Sequence, residues 1–375
     1  MDQKMSTIWI NACEPSADIY ASLLIKWLKK NAPNIDVVGM GGIYSRQAGL
    51  KTFFKAEELS VMGFTEVITN LPRIIKLLSH IKSKIKQVKP DLILLLDAPD
   101  FNFRLAKYAD GLNIPVFYYI APQLWAWRQG RVKFLKKYIK HIFCIFPFEE
   151  NFFHAKGIKT SYVGHPLLEL IDFPKLSVTK KSNTLLILPG SRKQEINSLL
   201  PIFNQTALLL KEKHPNLNFK LIKADNISLN LIHKFLSPDL KCTICPAKDR
   251  YKEMVSSKIA LAASGTVTLE CALMELPTVI AYKLSPLTFQ IGKLLVKVPA
   301  IGMPNLILKE KIFPEFIQHQ ATPENLSQAV LQMLQPEQYQ HISLKTKQIK
   351  KILGEKKATS TIGQYIIKFL KNKRT

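Results

Sequence analysis

Short apolar runs alternate with amphipathic stretches along most of the chain. Residues 7–12 form an apolar run that predicts a strand. Residues 17–30 follow with Leu23, Leu24, Trp27 and Leu28 on one side of a helix. A second strand at 37–38 runs into Gly39, Met40, Gly41 and Gly42. Ile74, Leu77, Ile81, Ile85 and Val88 recur at spacings of three and four, which predicts a helix over 72–88 with Pro72 in its first turn. Residues 92–96 are apolar without interruption, as in a parallel strand covered on both faces. Further strands are predicted at 116–120 and 141–146.

The alternation restarts after a polar stretch at 175–184. Strands are predicted at 185–188, 219–223, 259–262 and 278–282, with helices at 194–213 and 267–274. Two successive runs of strand and helix predict two doubly wound α/β domains, 1–170 and 171–355, with a linker near 166–184. A last helix, within 356–375, is free to pack back on the N-terminal domain or on a partner subunit. Ligands of such folds sit at the carboxyl ends of the strands, so the informative residues are those just after each run.

Composition changes the picture in a few places. The 375 residues are 47% hydrophobic and 22% charged, which suits a folded globular chain and not a disordered one. Lys and Arg number 53 against 28 acids, a formal net charge of +25, which favours anionic partners such as phosphorylated substrates or acidic lipid headgroups. The lysines are scattered, so part of the excess reads as ordinary surface. Nucleic acid is not expected as a partner, because the basic residues are not clustered with exposed aromatics. Five cysteines, an odd and sparse set, point to a reducing compartment. Cys242 and Cys245 lack two further ligands nearby and are expected to be ordinary strand or loop residues. No leader peptide or membrane-spanning stretch is expected, since Asn11, Glu14 and Asp18 interrupt the first apolar run.

Five constellations follow predicted strands. Cys13 to Asp18 places Glu14, Ser16 and Asp18 at a strand-to-helix turn, where acids either meet substrate or cap the helix. Asp97 to Asn102 places Asp97 and Asp100 at the end of the apolar run, suited to taking a proton from a substrate hydroxyl or to capping a turn. Gln123, Trp125, Trp127 and Arg128 can line a sugar or acyl pocket, or form a buried aromatic cluster. Gly190, Ser191 and Arg192 precede a helix, whose N-terminal amides and the Arg fork suit a diphosphate. Ser264, Gly265 and Thr266 again precede a helix, and Glu270 shares a face with Thr266, suited to ribose hydroxyls. The absence of a Gly-Lys-Ser/Thr ending argues against a Walker loop, and the absence of Gly-x-Gly-x-x-Gly after the first strand argues against a dinucleotide oxidoreductase.

The order and spacing of these motifs resemble the lipid-A-disaccharide synthase family over nearly the whole chain. The most specific stretches are 59–67, 97–102, 122–129, 189–192, 263–271 and Pro304-Asn305. The resemblance implies a GT-B architecture, two facing Rossmann-like domains with an interdomain cleft. It implies an inverting transfer from UDP-2,3-diacylglucosamine to 2,3-diacylglucosamine 1-phosphate (lipid X), giving a β-1′,6-linked disaccharide and UDP. It also implies that Asp97 is catalytic, with Asp100 as the rival base. Arg192 and the 264–270 segment would bind the UDP moiety, and Asn305 would lie near the donor. No cofactor and no metal are expected. The expected location is cytoplasmic, on the inner face of a Gram-negative inner membrane with anionic lipid. Val67, Ile68, Leu71, Ile74, Ile75 and Leu78 would form the apolar strip, beside Arg73 and Lys76. Self-association as a homodimer is left open. The family usually has Gly where Cys13 and Ala17 stand, which leaves open how closely that turn approaches substrate. Other readings are another GT-B glycosyltransferase, a UDP-sugar epimerase, or a basic nucleic-acid-binding protein.

Overall fold

A computed structural model describes residues 5–60, 71–126, 128–176, 181–284, 289, 299–355 and 357–373. The chain divides into two compact units, Met1–Glu169 with Glu355–Thr375, and Leu170–Gly354.

The first unit is built on a seven-stranded sheet in the order β3-β2-β1-β4-β5-β6-β7. The strands are β1 Ser6–Ala12, β2 Ile35–Gly41, β3 Lys51–Lys55, β4 Leu92–Leu96, β5 Val116–Tyr119, β6 His141–Cys144 and β7 Thr160–Tyr162. Every neighbouring pair is parallel. All five residues of β4 are fully buried, as a strand covered on both faces requires. At roughly 1.5–3 kcal/mol for each buried aliphatic side chain, this burial fixes where the strand ends. Trp9 of β1 stacks on Phe53 of β3 with ring centroids 5.9 Å apart.

Strand β2 runs longer than its sequence pattern predicts, through two glycines. Gly39 has φ +141°, and a Cβ there would lie 2.0 Å from the Ile10 carbonyl oxygen, so only glycine lets β2 lie against β1. The helix Pro15–Asn31 returns along the sheet with Pro at its first turn. The terminal helix Ala358–Asn372 packs on this same unit. Gly363 lets it approach Trp27, because a Cβ there would sit 2.2 Å from the indole. The Tyr365 hydroxyl lies 3.0 Å from His141 Nδ1, and Phe369 meets Phe117 at 4.9 Å.

The second unit carries a six-stranded parallel sheet in the order β10-β9-β8-β11-β12-β13. Its strands are β8 Thr184–Leu188, β9 Asn218–Lys223, β10 Thr243–Pro246, β11 Ile259–Ala263, β12 Thr278–Tyr282 and β13 Glu315–Ile317. Central strands β8 and β11 are buried throughout, whereas edge strands β10 and β13 are not.

In each sheet the order reverses once. The reversal falls between β1 and β4 in the first unit and between β8 and β11 in the second. Loops leaving adjacent strands at such a point diverge to opposite faces and open a crevice at the carboxyl ends. Four of the five motif loops leave these four strands.

Candidate active site

In the first unit, β4 ends just before Asp97 and β1 ends just before Cys13. Asp97 and Ala98 both adopt left-handed backbone, with φ 51° and 43°, before the helix Pro99–Asp110 begins. Two successive non-glycine residues in this region are costly, and neighbouring groups hold them there. Asn102 Nδ2 donates to the carbonyls of Leu96 at 3.1 Å and Asp97 at 2.8 Å. The Tyr118 hydroxyl also donates to the Asp97 carbonyl. Asn11 Nδ2 donates to Asn102 Oδ1 at 2.7 Å, tying the end of β1 to the turn after β4. The backbone of Asp97 is thus fixed while its side chain is half-buried.

Asp100, the other candidate base, is exposed in the first turn of its helix. Arg128 Nη1 lies 3.1 Å from its Oδ1, and Arg131 pairs with the same oxygen. Two guanidiniums on one carboxylate make Asp100 a clamp for the 128–131 segment. Arg128, expected beside a sugar or acyl pocket, makes this ion pair.

The turn after β1 holds a buried carboxylate. Asp18 is buried, and its oxygens accept from the amides of Gly42 at 2.7 Å, Tyr44 at 3.0 Å and Ser45 at 3.1 Å. It caps the short helix Ile43–Gln47 from a distance of 24 residues in sequence. Glu14 and Ser16 remain half-buried at the start of Pro15–Asn31. Cys13 and Ala17 are buried, and neither has positive φ, so their replacement of glycine strains nothing. Cys13 Sγ accepts from Asn11 Nδ2 at 3.1 Å, and burial followed by Glu14 and Asp97 pushes its thiol far up.

In the segment after β5, Gln123 is exposed and Trp125 is half-buried. Trp127 lies outside the described residues. The Trp125 indole donates to Glu149 Oε1 at 3.1 Å and meets Phe148 edge-on at 4.9 Å. Glu149 Oε2 accepts from the amides of Ile145 and Phe146 at 3.3 and 3.2 Å, capping the helix Pro147–His154. Burial pushes Glu149 up to about 7, against the pull of these three donors.

In the second unit, Gly190, Ser191 and Arg192 join β8 to the helix Lys193–Lys213, with Arg192 at the N-cap position. Gly190 has φ +109°. Glu195 Oε2 folds back onto the amides of Ser191 at 2.9 Å and Arg192 at 3.1 Å. The chain's own carboxylate thus occupies two of the amides expected to receive a phosphate. The Arg192 side chain is exposed and lies 3.8 Å from Glu195 Oε1. The companion loop after β11 has Ser264 half-buried and Gly265 and Thr266 exposed at the start of Thr266–Leu273.

Glu270 is buried four residues further on. It accepts from the Tyr251 hydroxyl at 2.8 Å, and Arg250 Nη2 lies 3.3 Å from the same Oε1. Asn305, expected near the donor, is tied to its own chain. It is buried, with Nδ2 donating to Phe313 O and Glu315 Oε1 and Oδ1 accepting from Phe313 N. Its amide group is committed to the approach to β13. Glu315 in turn receives the amides of Ile301 and Gly302. Sequence reasoning did not single out Asn11, Tyr118, Glu149, Glu195, Tyr251 or Arg250. Glu195 alone carried a local signal, its capping-box spacing after residue 192.

The expected membrane strip is narrowed. Leu71 and Ile75 are exposed at 43% and 52%, Ile74 is half-buried, and Leu78 is a core residue at 6%. Val67 and Ile68, and the 61–67 part of the 59–67 motif, lie outside the described residues. Among the described residues no helix is long and apolar enough to cross a membrane, and no cluster of three His, Cys, Asp or Glu is spaced to hold a metal.

Two doubly wound parallel units with loops of this chemistry define an enzyme of GT-B architecture. The fold is similar to a UDP-GlcNAc 2-epimerase from Neisseria meningitidis bound to UDP-GlcNAc, with TM-score 0.65 at 16% identity over 96% of this chain and 99% of that one. It is also similar to the glycotransferase of kitacinnamycin, with TM-score 0.66 at 11% identity over 97% of this chain and 98% of that one. The family profile described as Lipid-A-disaccharide synthetase matches residues 8–367. A lipid-A-disaccharide synthase from Coxiella burnetii is 39% identical over 342 residues, 89% of this chain and 90% of that one. The chain belongs to the lipid-A-disaccharide synthase family and is a glycosyltransferase of lipid A biosynthesis.

Proposed function

We propose that the enzyme transfers the sugar of UDP-2,3-diacylglucosamine to the 6-hydroxyl of 2,3-diacylglucosamine 1-phosphate with inversion. The donor is α-linked to UDP and the product is β-linked, so one in-line displacement suffices. Asp97 takes the proton of the acceptor hydroxyl as the new C–O bond forms. UDP departs with the electron pair of the broken C–O bond and so carries one more negative charge than it had in the donor, and Arg192 and the N-terminus of Lys193–Lys213 offset that charge. The Ser264–Thr266 loop and Glu270 hold the nucleotide.

One observation carries this reading. The loops at the first sheet's reversal present a carboxylate on a held backbone, and those at the second present small residues, helix N-termini and a guanidinium. The first chemistry suits an acceptor hydroxyl and the second a nucleoside diphosphate. The donor diphosphate displaces Glu195 from the Ser191 and Arg192 amides. The enzyme acts at the cytoplasmic face of the inner membrane, held there peripherally by Leu71 and Ile75, with Arg73 and Lys76 reading anionic lipid.

The test is purified protein with both acylated substrates, following disaccharide and UDP together. Equimolar β-linked disaccharide and UDP is the expected result. UDP release from the donor without disaccharide formation would favour an epimerase-like hydrolysis, the reading that the fold similarity alone allows.

A further inference from the structure

Glu270 sits one helical turn beyond the exposed Thr266, on the loop proposed to hold the nucleotide. Its environment is asymmetric. Oε1 accepts from Tyr251 Oη at 2.8 Å and lies 3.3 Å from Arg250 Nη2. Oε2 meets no protein donor among the described residues and is not sealed from solvent. The direction of the relay is fixed by chemistry. Arg250 has donors alone, so its 2.8 Å contact makes Tyr251 Oη an acceptor, and the phenol's single proton must go to Glu270. Arg250 also lies over the Tyr251 ring, 4.4 Å from its centroid, which holds the two side chains as one block.

We propose that Arg250 and Tyr251 are positioning residues for nucleotide recognition, locking Glu270 so that Oε2 faces the ribose hydroxyls of the donor. The inference rests on the reading of Glu270 as the ribose acceptor. Without the relay, the Glu270 carboxylate is free to rotate and loses its fixed counter-charge. With it, one oxygen is committed and the other is held in a single direction, and a ribose hydroxyl then gains a bond to a charged acceptor without first ordering it. Arg250 carries a cost that a purely structural pair would avoid. Its Nε–H is buried with no acceptor among the described residues. A buried donor left unmatched beside a candidate ligand site is tolerated where the guanidinium's geometry serves the site. Burial and then Glu270 push the Tyr251 phenol well up, so it stays protonated and keeps donating.

The experiment compares binding of UDP and 2′,3′-dideoxy-UDP to the full chain by calorimetry, for wild type, Glu270→Gln, Arg250→Gln and Tyr251→Phe. The dideoxy nucleotide lacks the hydroxyls, so its affinity reports a folded site that owes nothing to Glu270. Wild type should prefer UDP by about tenfold, the worth of a hydrogen bond to a charged acceptor. Arg250→Gln and Tyr251→Phe should erase most of that preference and leave dideoxy-UDP binding unchanged. Retention of the wild-type preference in both, with its loss in Glu270→Gln, would overturn the positioning role and leave the ribose reading intact. An undiminished preference in Glu270→Gln would overturn the ribose reading, and the inference with it. Should either relay variant bind neither nucleotide, Arg250→Lys supplies the second test. It retains charge without the planar fork, and it should bind dideoxy-UDP normally with a reduced preference for UDP; a full preference there would also overturn the role.

Discussion

Asn11 and Asn102, 91 residues apart, share a 2.7 Å hydrogen bond at the point where the first sheet reverses its strand order. Asn102 accepts that bond through Oδ1 and gives its amide hydrogens to the Leu96 and Asp97 carbonyls, the backbone that carries Asp97. Asn102→Ala leaves the Asn11 amide and two carbonyls short of a partner in a buried place. A stability loss of about 2–3 kcal/mol in chemical denaturation is expected. Turnover should fall further than that loss explains, because Asp97 and Ala98 relax out of their left-handed conformation, while UDP affinity stays near normal. Unchanged turnover in a folded variant would show that the Asp97 backbone needs no such support.

Gly190 makes room for a side chain. A Cβ there would lie 2.3 Å from Glu195 Oε2, and its φ of +109° is poorly suited to any other residue. Gly190→Ala should cost about 1–3 kcal/mol in stability and weaken UDP binding, since both the Glu195 cap and the Ser191–Arg192 amides shift. Titration calorimetry with UDP checks the second effect. Wild-type affinity would place the diphosphate elsewhere.

The four motif loops at the sheet reversals were legible because they follow the central strands. β4, β8 and β11 are buried throughout and β1 nearly so, and each reads as a mostly apolar run. Edge strands β3, β10 and β13 are half-exposed, so no apolar run marks them. The short strand β7, Thr160–Tyr162, also escaped notice, having three residues and no apolar run. The full length of β2 was hidden by Gly39 and Gly41, which read as a loop until Ile10 is seen to need the space. Site chemistry was legible as residue type and not as pairing. Asp18 and Asn305 carry the right groups, but their partners at Gly42 and Phe313 appear only when the chain is folded. Likewise Arg250 and Tyr251 lie on a separate short helix, with no local pattern linking them to Glu270.

Glu149 supplies a pH signature. Its folded value of about 7 stands above its ordinary 4.5, so the folded state binds a proton more tightly between them. The stability it contributes is fully present below 4.5 and is lost as pH rises through 7, by roughly 3 kcal/mol at most. His141 and His165, lowered to about 4 and about 3 by burial, act in the opposite direction. They are common to wild type and Glu149→Gln, so the difference between the two isolates Glu149. Unfolding free energy measured from pH 4.5 to 8 should show wild type losing ground to the variant. A flat difference would mean that Glu149 titrates normally.

Leu71 and Ile75 are exposed on the first turns of the helix Leu71–Val88, whereas Leu78 is in the core. Leu71→Ser with Ile75→Ser should raise the fraction of enzyme recovered away from membranes and leave the melting temperature within a few degrees. Leu78→Ser should lower stability by about 2–5 kcal/mol without that specific release. Membrane recovery unchanged in the double variant would remove these two residues from the interface.

The central claim is that the two reversal points divide the chemistry, with Asp97 activating the acceptor and Arg192 holding the donor diphosphate. Turnover with both acylated substrates and UDP affinity should be measured side by side for Asp97→Asn, Asp100→Asn and Arg192→Ala. Asp97→Asn should cut turnover by roughly 10²–10⁴-fold with little change in UDP binding. Asp100→Asn should lose far less, since its partners Arg128 and Arg131 already occupy it. Arg192→Ala should weaken UDP binding by about 10–100-fold through loss of a charge-assisted fork. Near-normal turnover in Asp97→Asn with a dead Asp100→Asn would move the base to Asp100, and normal UDP binding in Arg192→Ala would contradict the division itself.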